Sequence, residues 1–161
     1  MKEIKILVFK LRNEFYATDI MDVERILGYE EPTALPDSPS FLDGVINYEN
    51  SVLPILNLVD KFKLKKEDSL DKKIIVVRRE NGKFGILVDS VSEVLSILDE
   101  EIKNPSSLST LISQKYIKGL IKKKDNIIIM LDLEKVLTVE EEEIIFQGWK
   151  YWMTKKRLEL E

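Results

Sequence analysis

A mainly β chain is expected here, and three observations carry the expectation. The apolar residues come in short runs separated by turn-sized polar breaks. Some runs, such as Ile127-Ile128-Ile129-Met130-Leu131, are apolar at consecutive positions, the pattern of a strand covered on both faces. The chain also repeats itself. Such short, regular, turn-punctuated strands suggest small barrels or a sandwich. At 161 residues the chain suits one domain, or two small subdomains that share a core. A chain of this size buries about 70% of its unfolded surface and folds without staples.

Taken in order, Ile6–Leu11 and Glu14–Asp19 flank Arg12-Asn13, a turn-sized break. Val45–Tyr48 and Val52–Leu56 flank Glu49-Asn50-Ser51. Ile74–Arg78 and Lys83–Val88 flank Asn81-Gly82, a hairpin signal because both residues tolerate positive φ. Leu120–Lys122 and Ile127–Leu131 flank Lys124-Asp125-Asn126. Asn57 and Asp132 each precede a short segment, Leu58–Phe62 and Leu133–Leu137, and both residue types can cap a helical turn. Lys61, Lys63, Lys65 and Lys66 read as a solvated linker between the halves. Residues 1–138 read as the β domain and 139–161 as an amphipathic helix. Glu140–Glu143 open that helix and Lys155, Lys156 and Arg157 close it, complementing the helix dipole. Ile145, Trp149, Trp152 and Met153 share one face, expected to dock on the β core.

The repeat is specific. A shift of 68 residues lays Ile6-Leu7-Val8-Phe9 on Ile74-Ile75-Val76-Val77, Tyr16-Ala17 on Phe84-Gly85, and Val23–Leu27 on Val91–Leu95. A shift of 75 lays Phe41–Ile46 on Tyr116–Ile121 and Asn57-Leu58 on Asp132-Leu133. The difference implies a longer connection in the second half, placed at Asn104–Ser109. An internal duplication into two related β subdomains accounts for both shifts.

Composition narrows function. The chain has no cysteine and no histidine, which excludes disulfides, thiolate metal sites and imidazole-based triads. No phosphate-binding glycine loop is present. The net charge is −4, so nucleic acid is a poor partner. Lys122-Lys123-Lys124 falls in a hairpin turn without nearby aromatics and reads as solvated rather than as a nucleic-acid contact. Glu140–Glu143 lack the spacing of a calcium loop and read as a solvated helix start. Asp89 and Asp132 read as strand end and cap rather than paired catalytic carboxylates. No apolar segment has signal-peptide or membrane-spanning length, so a cytoplasmic protein without membrane insertion is expected.

In sum of its motifs the chain resembles the CheW family of chemotaxis coupling proteins. Leu7–Leu11, Tyr16-Ala17, Val23–Ile26, Leu35-Pro36, Phe41–Asn47 and Val52–Leu58 carry the first half of the resemblance. Gly85–Val91, Glu93–Leu95, Tyr116–Gly119 and Leu131–Leu133 carry the second. The resemblance implies two five-stranded SH3-like barrels about a shared hydrophobic core, joined by short helices. It implies no catalysis and no cofactor. Its implied partners are the cytoplasmic tip of a methyl-accepting chemoreceptor and the regulatory domain of the histidine kinase CheA, at membrane receptor arrays. On the receptor face it points to Val23, Arg25, Gly44, Val45, Asn47 and Glu49. For the kinase it points to Leu87, Val88 and Val91.

One position departs from the family. The stretch Asn47-Tyr48-Glu49-Asn50-Ser51 carries Glu49 where an arginine is usual, a reversal of charge, and Asn50 or Ser51 where a turn glycine is usual. Arginine offers a fork of donors and glutamate only acceptors. A compensating exchange between Arg25 and Glu49 is one account. A scaffold for a different kinase or partner is another, and a small-barrel nucleic-acid binder a third. Gly44 and Gly119 occupy equivalent places and read first as a bulge or sharp strand bend that needs no side chain.

Overall fold

The computed structural model describes residues 2–65, 71–80, 82–104 and 115–148. The strands are β1 (Glu3–Leu11), β2 (Glu14–Asp19), β3 (Val23–Gly28), β4 (Leu42–Tyr48) and β5 (Ser51–Asn57), followed by β6 (Lys73–Arg79), β7 (Gly82–Val88), β8 (Ser90–Leu98), β9 (Ile117–Lys123) and β10 (Asn126–Leu131). They form two five-stranded sheets, in the orders β8-β1-β2-β10-β9 and β3-β6-β7-β5-β4. Each makes one small barrel, as expected.

The barrels do not coincide with the halves of the sequence. Each half leaves its first hairpin in one sheet and sends its last three strands to the other. The register repeats residue for residue. In one sheet Val8 pairs with Glu93 and Ile6 with Leu95; in the other Val76 pairs with Arg25 and Ile74 with Leu27. The parallel pairs Met130–Ala17 and Ile55–Gly85 are likewise equivalent. Both shifts read from the sequence are therefore shifts of structure.

The interleaving explains the two-faced apolar strands. Ile6 and Val8 point into the first barrel with Ala17, Ile121, Ile128 and Met130. Ile74 and Val76 point into the second with Ile46, Leu53 and Ile55. Their neighbours Leu7, Phe9, Ile75 and Val77 turn the other way, into one shared cluster with Leu56, Phe84, Ile86 and Val88. Strand alternation thus feeds a barrel interior on one side and a common seam on the other. Ile127 is the exception in its run: it is exposed at the hairpin end, so the run is not covered throughout.

The first hairpin turns at Arg12-Asn13 as expected, with Leu11 paired to Glu14, and the other three turn one residue tighter or earlier. Tyr48 pairs with Ser51, Lys123 with Asn126 and Arg79 with Gly82, so each turn has two central residues. Gly82 is the first residue of β7 rather than part of the turn, and Asn81 lies outside the described residues. Arg12-Asn13 and Glu49-Asn50 both take positive φ, the geometry whose twist suits a two-residue hairpin.

Asn57 caps α1 (Leu58–Lys61), its side chain accepting from the Asp60 amide. Its counterpart Asp132 accepts from the Glu134 amide, and Leu133–Leu137 make a hydrogen-bonded turn, with the Lys135 amide donating to the Asp132 carbonyl, rather than a helix like α1. The acidic segment differs more. Thr138 and Glu141 form a reciprocal capping box at α2 (Val139–Glu142), which runs on as a wider helical turn to Gly148. Glu141 is not solvated: it pairs at 2.7 Å with Lys61, whose side chain is 4% exposed and lies over the rings of Phe41 and Tyr116. Glu142 pairs with Arg79. Lys61 is therefore a clasp between halves, not linker. Ile145 and Phe146 are buried in the shared cluster, while Trp149, Trp152 and Met153 lie outside the described residues, as do Lys66 and the connection from residue 105 onward. No helix among the described residues is long and apolar enough to cross a membrane.

Candidate functional site

The candidate receptor face begins with alternation along β4. Leu42, Gly44, Ile46 and Tyr48 are buried, and the positions between them turn outward. Val45 is half-buried and Asn47 exposed, and both share that outward side with Glu49 at the turn. β3 is the opposite edge of the same sheet. Arg25 leaves β3 and meets Glu49 at 3.3 Å, both side chains remaining about half exposed. Val23 packs against the shared cluster at the start of β3. Five of the six expected residues thus present side chains to this end of the second barrel or to the seam beside it.

Gly44 has no side chain to present, and its environment shows why. Its φ is +143, and a Cβ there would come within 2.1 Å of the Thr33 carbonyl oxygen. Val45 and Thr33 exchange backbone hydrogen bonds at that spot. Gly119 repeats the arrangement: its Cβ would meet Ile102 at 2.3 Å, beside the bridge of Lys103 to Leu120. Both glycines let a connecting segment cross close over a strand.

Behind Arg25 and Glu49 lies a polar cluster that the sequence reading did not single out. The Tyr48 hydroxyl donates to Glu24 at 2.5 Å. Lys83 bridges Glu24 at 2.9 Å and Glu49 at 3.8 Å. Arg25 and Lys83 both lie within 6 Å of the Tyr48 ring centre, in reach of its negative face. Burial, and then the hydrogen bond to Glu24, push the Tyr48 phenol up to about 12. The same bond, reinforced by Lys83, holds Glu24 below the ordinary glutamate value. The signal for Tyr48 was available: it follows Ile46 on the inward side of β4, where a buried hydroxyl demands an acceptor.

The candidate kinase residues fall differently. Leu87 and Val91 are half-buried around the β7–β8 connection. Val88 has 0% exposure and belongs to the shared cluster, so its side chain is core rather than surface. Asp89, between them, binds Arg12: the guanidinium lies 2.8 Å from one oxygen, and the Arg12 amide donates to the other. That bond ties the β1–β2 turn to the β7–β8 connection, across the two sheets.

With this geometry in view, the comparisons are direct. The CheW-like domain family matches residues 5–141, which include every strand from β2 to β10 and most of β1. The chain belongs to the CheW family. Chemotaxis protein CheW of Klebsiella aerogenes is 35% identical over 137 residues, covering 84% of this chain and 82% of that protein. Chemotaxis protein CheW of Thermotoga maritima is 31% identical, covering 85% of this chain and 89% of that one. The crystal structure of scaffolding protein TtCheW from Thermoanaerobacter tengcongensis superposes with a TM-score of 0.79 at 31% identity, over 88% of this chain and 92% of that one.

Proposed function

We propose that the chain is a non-enzymatic chemotaxis adaptor, coupling chemoreceptor cytoplasmic tips to the histidine kinase CheA through protein contacts alone. The observation that carries the proposal is the family match across both barrels, 5–141. The receptor face is the end of the second barrel at Val23, Arg25, Val45, Asn47 and Glu49, with Gly44 shaping the strand beneath. Leu87 and Val91 belong to the kinase face, with Val88 supporting them from the core. The adaptor works in the cytoplasm at membrane receptor arrays. Coupling follows from holding both partners at once, so that a receptor change biases the kinase equilibrium.

Glu49 meets Arg25 within the same surface. The reversed charge is therefore balanced inside the chain, and a receptor need not reverse its own. Calorimetric titration with the CheA regulatory domain and with a receptor tip, both from the protein's own source, tests the reading. Micromolar or tighter binding to both is expected. Binding to the kinase domain alone would reassign the protein to a scaffold with another upstream partner. Binding to neither would end the coupling proposal.

A further inference from the structure

Because the two barrels share one register, each position in one has a counterpart in the other, and the barrel mouths can be compared side chain by side chain. In the second barrel Tyr48 fills the mouth. It packs with Leu53 and Val76, with Leu27 against them. Arg25 and Lys83 lie over its ring and Glu24 accepts from its hydroxyl. In the first barrel the walls are kept: Ile128, Val8 and Leu95 stand at the places of Leu53, Val76 and Leu27. The filler is not kept. Lys123 stands at the place of Tyr48, and its ammonium is held by Glu101 at 2.8 Å. A cleft of about 220 Å³ is left between those walls.

We propose that this cleft is a binding site for a tyrosine side chain presented by a partner protein. The second barrel supplies the template, since the same three walls already accept a phenol there. The remaining substitutions suit an incoming phenol as well. Phe15 replaces Lys83 and gives the ring an aromatic neighbour, itself backed by Lys10 at 4.8 Å. Glu93 replaces Arg25 and gives the hydroxyl an acceptor at the rim, the part Glu24 plays for Tyr48. Lys124 replaces Glu49 and brings a cation to the electron-rich ring. A carboxylate ligand would meet Glu93; a purely apolar one would leave Glu93 without a use. A polypeptide rather than a free phenol is favoured because β8, which carries Glu93 and Leu95, is an edge strand of its sheet. In the second barrel the filler likewise arrives on an edge strand, β4. An edge offers backbone groups to a chain laid beside it.

The test uses the full chain, isotope-labelled, and three probes: p-cresol, toluene and the blocked tripeptide acetyl-Ala-Tyr-Ala-amide. Amide shifts at Val8, Leu95 and Ile128 are expected with p-cresol, with a Kd on the order of 1 mM. Toluene should bind about tenfold more weakly and the tripeptide about tenfold more tightly. Lys123→Tyr copies the other barrel's filler and should abolish binding of all three. Glu93→Ala removes the acceptor from an exposed strand position and should erase most of the preference for p-cresol over toluene. Shifts confined to other sites, or a folded Lys123→Tyr variant that still binds, would overturn the proposal. Equal binding of p-cresol and toluene, or no effect of Glu93→Ala, would overturn the choice of tyrosine. A tripeptide no tighter than p-cresol would overturn the choice of a protein partner.

Discussion

At Glu49 the chain carries a carboxylate where its family resemblance leads to an arginine, and Arg25 answers it at 3.3 Å. An ion pair this exposed contributes at most about 1 kcal/mol to folding. Its importance is therefore in charge pattern, and it is testable as such. Glu49→Arg and Arg25→Glu should each weaken receptor-tip binding by about tenfold in calorimetric titration, and the double exchange should restore most of it. Independent, additive losses would separate the two residues. Tyr48 makes a second prediction at this scale. Its phenol ionises near 10 in an unfolded chain and is pushed up to about 12 in the fold. The fold thus holds the proton more tightly than the unfolded chain does. The stability this gives is complete below pH 10 and is lost as pH rises toward 12. Urea titrations across that range should show a steeper decline for the native protein than for Tyr48→Phe. The same substitution should cost about 1–2 kcal/mol at neutral pH, because Glu24 loses a donor.

Elements here are held by close backbone crossings and by caps. Gly44 and Gly119 each sit under a connecting segment, and a methyl group at either would overlap it at 2.1 or 2.3 Å. Gly44→Ala and Gly119→Ala should each cost more than about 2 kcal/mol in denaturant unfolding, through the same local distortion in the two barrels. Equal stability of either variant with the native protein would show that the crossing segment can lift. The last helix depends on a different device. Thr138→Ala should cost about 1 kcal/mol by removing one side of the capping box. Glu141→Ala should cost more, about 3–5 kcal/mol, because it also strands the nearly buried ammonium of Lys61. Replacing both Lys61 and Glu141 by apolar residues should recover part of that loss. Burial alone would raise the Glu141 carboxyl, but Lys61 and the Thr138 amide outweigh it and hold it below the ordinary value. This contribution is present at neutral pH and fades as pH falls through the lowered value.

For the molecule as a whole, interleaving is the controlling feature. Each sheet draws strands from both halves, and the shared cluster draws from both sheets. A single cooperative unfolding transition is expected. Neither residues 1–65 nor 71–161 should fold when produced alone, since each would leave two incomplete sheets. Mixed, they should reassociate, with far-ultraviolet circular dichroism and amide spectra close to those of the intact chain. A stable isolated half would contradict the shared-core architecture. Interleaving also bears on function, because the Arg12–Asp89 bond joins the halves between the candidate kinase residues Leu87 and Val91.

Much of this was written in the order of residues. The strands follow from short apolar runs and turn-sized breaks, and the duplication from two constant shifts that reappear as identical register. Family membership follows because motifs such as Phe41–Asn47 keep their spacing. Local signals also suffice for Asn57 as a cap, and Thr138-x-x-Glu141 is a legible capping box. Pairing between halves was not legible, since a strand carries the same alternation whether it joins its own half or the other. Solvation of charge was equally hidden: Lys61 and Lys63 look alike in sequence, yet one is sealed by Glu141 and two rings. The difference between Tyr48 and Lys123 is plain in the letters. Its meaning, a filled barrel mouth beside an open one, came only from three dimensions, because an unfilled volume is set by which walls the fold brings together.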